Sequence, residues 1–187
     1  MHKLHISAGL GTHIDSPMHV IQGGNSVAEI IPQPEYKGII LDFEDYFLNK
    51  NNFTITKDVF QEKLKLLELN SLEKLFIVVK TGWGKFWGEK KYFNEYIFPH
   101  LESSLGEFFC DEKIAGIGID TLSPEKITQS MKCPIHEALL SKNIWIVENI
   151  ANLDYFSDTK GTFLVSPLRI VSSESPIRLF FKINTIS

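Results

Sequence analysis

Leu75-Phe76-Ile77-Val78-Val79-Lys80 is an unbroken apolar run of strand length, and what precedes it decides the fold class. Just upstream, Thr56 to Leu69 places Phe60, Leu64 and Leu67 at helical spacing among Lys, Glu and Gln, with Asn70 where a helix would stop. Before that helix, Gly38 to Phe43 is a second strand-like run. Working outward, similar runs recur at Leu4 to Ala8, Ala115 to Ile119, Asn143 to Glu148, Thr162 to Val165 and Ile177 to Asn184. Ser123-Pro124-Glu125 predicts a second helix start, with a cap residue ahead of proline at the first helical position, and Pro134 to Leu140 predicts a third. Helices alternating with strands place the chain in the α/β (or α+β) class with a mixed sheet.

The 187 residues suffice for one well-buried core, so a single domain over residues 1–187 is expected. The hydrophobic fraction is 43%, the charged fraction 22% and the formal net charge −4, which is ordinary for a water-soluble chain. No basic run interleaved with aromatics occurs, so no nucleic-acid partner is expected and the substrate should be a small molecule. The longest apolar stretches fall far short of the roughly 20 residues of a membrane span, and no export signal opens the chain. With two cysteines, Cys110 and Cys133, outside any CxxC spacing, the expectation is free thiols in a reducing, cytoplasmic setting.

Glycine marks the loops at Gly9-Leu10-Gly11-Thr12, Gln22-Gly23-Gly24-Asn25 and Thr81-Gly82-Trp83-Gly84. None has the spacing of a phosphate loop or a dinucleotide fingerprint. A serine hydrolase using Ser7 or Ser16 is disfavoured because no Gly-x-Ser-x-Gly elbow exists.

Chemistry concentrates in Gly11-Thr12-His13-Ile14-Asp15-Ser16-Pro17-Met18-His19, where two imidazoles and a carboxylate follow a glycine loop. In an extended segment His13 and Asp15, two apart, face the same side and can reach one divalent ion, while Pro17 can fold His19 back toward it. The competing reading is a polar surface turn. Glu148 ends an apolar strand, where a carboxylate is costly unless paired, coordinated or catalytic. His136 by itself reads better as a residue capping a helix start than as a ligand, since one imidazole is not a motif. Trp83 and Trp87 after the Gly82 turn are candidates to wall an aromatic pocket, or are plain core. Asp120 either orients a ligand histidine or caps the turn at Thr121, and the structural role is favoured.

Gly11 to His19, Lys80-Thr81-Gly82-Trp83, Gly118-Ile119-Asp120-Thr121-Leu122-Ser123, and His136-Glu137-Ala138-Leu139-Leu140 followed by Ile146 to Leu153 occur in one order that resembles the cyclase family, which includes kynurenine formamidase and isatin hydrolase. The resemblance implies a swivelling β/β/α fold, one or two divalent ions, zinc or manganese, and a homodimer or homotetramer. It makes His13, Asp15, His136 and Glu148 metal ligands and gives His19 the acid/base position. The implied activity is metal-dependent hydrolysis, through a metal-activated water, of a small amide such as the aryl formamide N-formylkynurenine, or of a cyclic amide or ester. The alternative is a non-catalytic small-molecule-binding or oligomer-forming member with a degenerate metal site. Two departures stand out. The family pattern has a further histidine where this chain has Gly9, which predicts a weakened first ion, and a strand and loop are expected ahead of the motif that this N-terminus does not supply.

Overall fold

The computed structural model describes residues 2–30, 35–48, 52–94, 97–128 and 132–183. In chain order they form β1 (His13–Asp15), β2 (Tyr36–Asp42), β3 (Thr54–Ile55), α1 (Lys57–Leu66), β4 (Phe76–Lys80), β5 (His100–Leu101), α2 (Ser104–Asp111), β6 (Gly116–Ile119), α3 (Pro134–Leu140), β7 (Trp145–Glu148), β8 (Thr159–Pro167) and β9 (Glu174–Ile183). Seven strands close into a barrel in the order β1-β7-β6-β4-β2-β8-β9, with β9 pairing back onto β1. The segment β2-β4-β6-β7 is parallel, whereas β8, β9 and β1 complete the ring through antiparallel pairs. The expected mixed sheet is thus present. β3 and β5 form a separate parallel pair.

The parallel strands are apolar throughout because both of their faces are covered. Ile39, Leu41, Ile77, Val79, Ile117 and Ile119 meet Phe60 and Leu64 of α1, Leu105 and Phe109 of α2, and Ile135 and Leu139 of α3. The alternate residues, Ile40, Phe76, Val78 and Val147, pack inside the barrel with Ile14, Phe163 and Val165. Gly116 is required here, since a Cβ would lie 2.7 Å from the Phe76 ring. α1 begins where Thr56 accepts the Val59 N–H at 3.4 Å, and α3 begins at Pro134, as the sequence predicts.

Two expectations need correction. Leu4 to Ala8 is not a strand: it is irregular, with Leu4 78% exposed, because no partner edge or apolar face receives it. Ser123-Pro124-Glu125 does not open a helix; it bends, and Glu125 forms a bridge with Leu101 while its carboxylate turns inward. A helix unanticipated from the sequence, α2, buries Leu105 and Phe109. Asn184, the last residue of the final predicted strand, lies outside the described residues. No helix among the described residues is long and apolar enough to cross a membrane.

Candidate metal centre

Strand parity and register build the site. Because Ile14 points into the barrel, His13 and Asp15 point out toward the helix-bearing side. On β7, Val147 points in, so Glu148 points out, and the antiparallel register sets Glu148 directly opposite His13. Asn149 then takes a left-handed φ of 53° and ends the strand with Glu148 as its last residue. On that side α3 anchors through Ile135 and Leu139 and delivers His136 from its first turn. Four side chains separated by up to 135 positions in sequence thereby converge.

His13, Asp15, His136 and Glu148 are all buried. His13 Nε2 lies 3.3 Å from Glu148 Oε2 and 3.7 Å from Asp15 Oδ1, and His136 Nε2 lies 3.2 Å from Glu148 Oε1 and 3.6 Å from Asp15 Oδ2. The opposite ring nitrogens are committed elsewhere. His13 Nδ1 sits 2.8 Å from the Gly11 carbonyl, and His136 Nδ1 sits 2.6 Å from Glu125 Oε1. In both rings Nδ1–H therefore donates outward and Nε2 faces the centre, the arrangement that orients a ligand imidazole. Glu125 also accepts the backbone N–H groups of Ile135 at 2.7 Å and His136 at 3.1 Å, tying the start of α3 to the ring it presents.

Both Asp15 oxygens and Glu148 Oε1 are buried without a hydrogen-bond partner. Such orphaned carboxylate oxygens are expensive unless something positive completes them. The electrostatics say the same. Burial pulls the His13 imidazolium down, but hydrogen bonding to Glu148 and the charges of Asp15 and Glu148 outweigh it and lift the group to about 9. Burial likewise opposes the charge on His136, yet Asp15, Glu125 and Glu148 hold it well above the usual range. Burial and the nearby Glu148 charge push Asp15 up. Carboxylate oxygens and imidazole Nε2 atoms converging on one buried point are a fitting donor set for a divalent cation, with Asp15, His136 and Glu148 as one close three-donor group.

The short turn Pro17–His19 swings the chain back, and the His19 ring ends 5.4 Å, centroid to centroid, from that of His136. His19 Nδ1 is 3.0 Å from Glu174 Oε1, and this bond, working against partial burial, raises the His19 pKa. Two residues at the site escaped sequence reasoning. Glu125 was hidden by the helix-start pattern around it, and Glu174 stands as a lone acid among serines, with no local signal at all.

A cavity of about 370 Å³ lies beside the centre, bounded by Gly11, Thr12, Trp87, Tyr92, Asn149 and Leu153 among others. Its wall includes the neighbours in sequence of His13 and Glu148. Trp87 is half-exposed on this wall, whereas Trp83 is buried in a separate aromatic cluster with Tyr92 and Phe98. Asp120 accepts the N–H and Oγ–H of Thr81 at 2.9 and 2.7 Å. His100 pins β3 to β5 through Thr54 at 2.9 Å. Cys110 and Cys133 are partly buried thiols outside any disulfide, and burial pushes both up in pKa.

Comparison with known proteins gives these side chains a context. A family model described as "Putative cyclase" matches residues 2–126. A kynurenine formamidase of Bacillus cereus is 27% identical over 179 residues, covering 94% of this chain and 77% of that protein. Among solved structures, isatin hydrolase A from Ralstonia solanacearum has the same fold, with a TM-score of 0.81 at 22% identity over 92% of this chain and 71% of that one. A protein described as a "Potential Metal-Dependent Hydrolase With Cyclase Activity" matches with a TM-score of 0.75 at 25% identity, over 96% of this chain and 81% of that one. Since the family match spans more than half of the 187 residues, this chain belongs to the cyclase family.

Proposed function

We propose that this chain is a metal-dependent hydrolase of a small amide, an aryl formamide such as N-formylkynurenine, or of a cyclic amide or ester. One observation carries the reading: Asp15, 1% exposed, keeps both carboxylate oxygens unpartnered between two imidazoles that each aim Nε2 at it. Zinc or manganese suits that mixed donor set, with His13, Asp15, His136 and Glu148 holding it. A divalent ion bound there supplies Lewis acidity, polarising a carbonyl and acidifying water.

The remaining work falls to the chain's own residues. With Nδ1–H donated to Glu174, His19 presents Nε2 as a base. It takes the proton of the attacking water as the oxygen adds to the carbonyl, and returns it to the nitrogen as the C–N bond breaks. Trp87, backed by the buried Tyr92, offers aromatic surface to a flat substrate in the adjoining cavity, whose size is in the small-molecule range. The formamidase and the isatin hydrolase among the similar proteins support this substrate class.

The test is elemental mass spectrometry on tag-free protein, with turnover of aryl formamides, cyclic imides and lactones by wild type and His19→Ala. Expected are near-stoichiometric metal in both proteins and a rate lowered about 10²–10⁴-fold in the variant. Metal-loaded wild type inert toward the whole panel would overturn the hydrolase and leave a small-molecule-binding protein.

A further inference from the structure

The register that places Glu148 opposite His13 on one side of β1 places Glu174 opposite Asp15 on the other. Two carboxylates directly facing each other across an antiparallel pair repel, all the more when one is fully buried. His19 answers only part of this, since its Nδ1 reaches Glu174 Oε1. The second oxygen turns the other way. A Cβ built on Gly9 would lie 2.8 Å from Glu174 Oε2 and 3.5 Å from His13 Nε2, so both atoms border the space above that glycine. Carboxylate and imidazole donor atoms of His13, Asp15 and Glu174 all lie within 4.8 Å of one another. Both oxygens of Asp15, the shared member of this donor group, are buried and without a hydrogen-bond partner.

We infer that Glu174 is a metal ligand: with His13 and Asp15 it completes the first of the two ion sites that the family resemblance implies, in place of the histidine that Gly9 replaces. This rests on the metal-dependent reading above. Glycine at position 9 leaves room for this carboxylate, since a Cβ there would lie 2.8 Å from Glu174 Oε2 and displace it. Glu174 then has two tasks at once, one oxygen holding His19 and the other holding an ion. The weakened first site expected from Gly9 is thereby supplied with a carboxylate from β9, at the far end of the chain.

The experiment is uptake of Mn²⁺, and separately Zn²⁺, by chelator-stripped protein in equilibrium dialysis, with wild type, Glu174→Gln, His19→Ala and Asp15→Asn side by side and folding checked by circular dichroism. Wild type and His19→Ala should bind two equivalents, Glu174→Gln should lose one, and Asp15→Asn should lose both. The His19 variant separates ligation from mere positioning, because a Glu174 that only orients His19 would leave metal content untouched. Equal uptake by wild type and Glu174→Gln overturns the Glu174 site while the hydrolase reading stands. Wild type that takes up neither ion overturns both.

Discussion

Two buried ionic clusters sit at strand ends on this barrel, and they are finished differently. At the end of β4, Lys80 Nζ contacts Asp42 Oδ2 at 2.8 Å, Glu44 Oε2 at 3.3 Å and the Phe156 carbonyl at 3.0 Å, one acceptor for each of its three donors. The Asp42 carboxylate also accepts the Glu44 N–H at 2.9 Å through its other oxygen. Around β1, β7 and β9, by contrast, the partners are imidazoles, and both Asp15 oxygens stand 3.6–3.7 Å from the nearest Nε2, without a hydrogen bond. The first cluster is closed by the chain's own cation and ties β2 to β4. The second is held by imidazoles that leave buried carboxylate oxygens without a hydrogen bond, a pattern that marks a binding site rather than a structural ion pair.

The contrast is broken most sharply by Asp15→Asn. Metal uptake should vanish and hydrolysis should fall at least about 10³-fold, while the chelator-stripped protein should be destabilised less than by loss of Lys80, because both Asp15 oxygens lie beyond hydrogen-bond distance of their imidazoles. Dialysis and urea melts read both halves, and a stripped variant destabilised by several kcal/mol would make Asp15 structural. Lys80→Met should do the reverse. With the Lys80 side chain only 6% exposed, its removal strands Asp42 and Glu44 and should cost about 3 kcal/mol in urea melts, leaving metal stoichiometry intact.

Glu125→Gln sharpens the comparison one shell further out. The amide keeps a single acceptor oxygen against the three donors of Ile135 and His136, so metal affinity should fall about 10–100-fold in chelator competition without loss of the ligands themselves.

The last test is a pH dependence at Asp120, a buried acid that does have partners. Burial pushes this carboxyl up to about 6, against the hydrogen bonds from Thr81 and Gly84 that favour its ionised form. Between its unfolded value and about 6 the folded chain binds the extra proton, so this group's contribution to stability declines as pH rises through that window. Relative to Asp120→Asn, wild type should lose about 2–3 kcal/mol between pH 4 and 6.5. A constant difference across that range in paired urea melts would place the carboxyl near its ordinary value.

How much of this was legible follows from what is local. The helical spacing of Phe60 and Leu64, the strand-length run Phe76 to Lys80 and the i, i+2 pairing of His13 with Asp15 are properties of short segments, and the fold uses each as written. Trp83 and Trp87 read alike in sequence, yet one is core and the other borders the cavity. Ser123-Pro124-Glu125 has the local chemistry of a helix start, but the pairing of Leu101 with Glu125 and the donors of α3 claim that carboxylate first.

The sequence by itself therefore determined the strands and helices of strongest local pattern, the apolar faces and the residue kinds able to hold a cation, because side-chain chemistry and periodicity act over a few residues. Only the tertiary structure decided which acids meet which imidazoles. Barrel closure through β9 and β1, and the register of β1 on β7, bring Glu148 and Glu174 to opposite sides of one three-residue strand. Register is set by packing summed over whole strands, and no segment carries it alone.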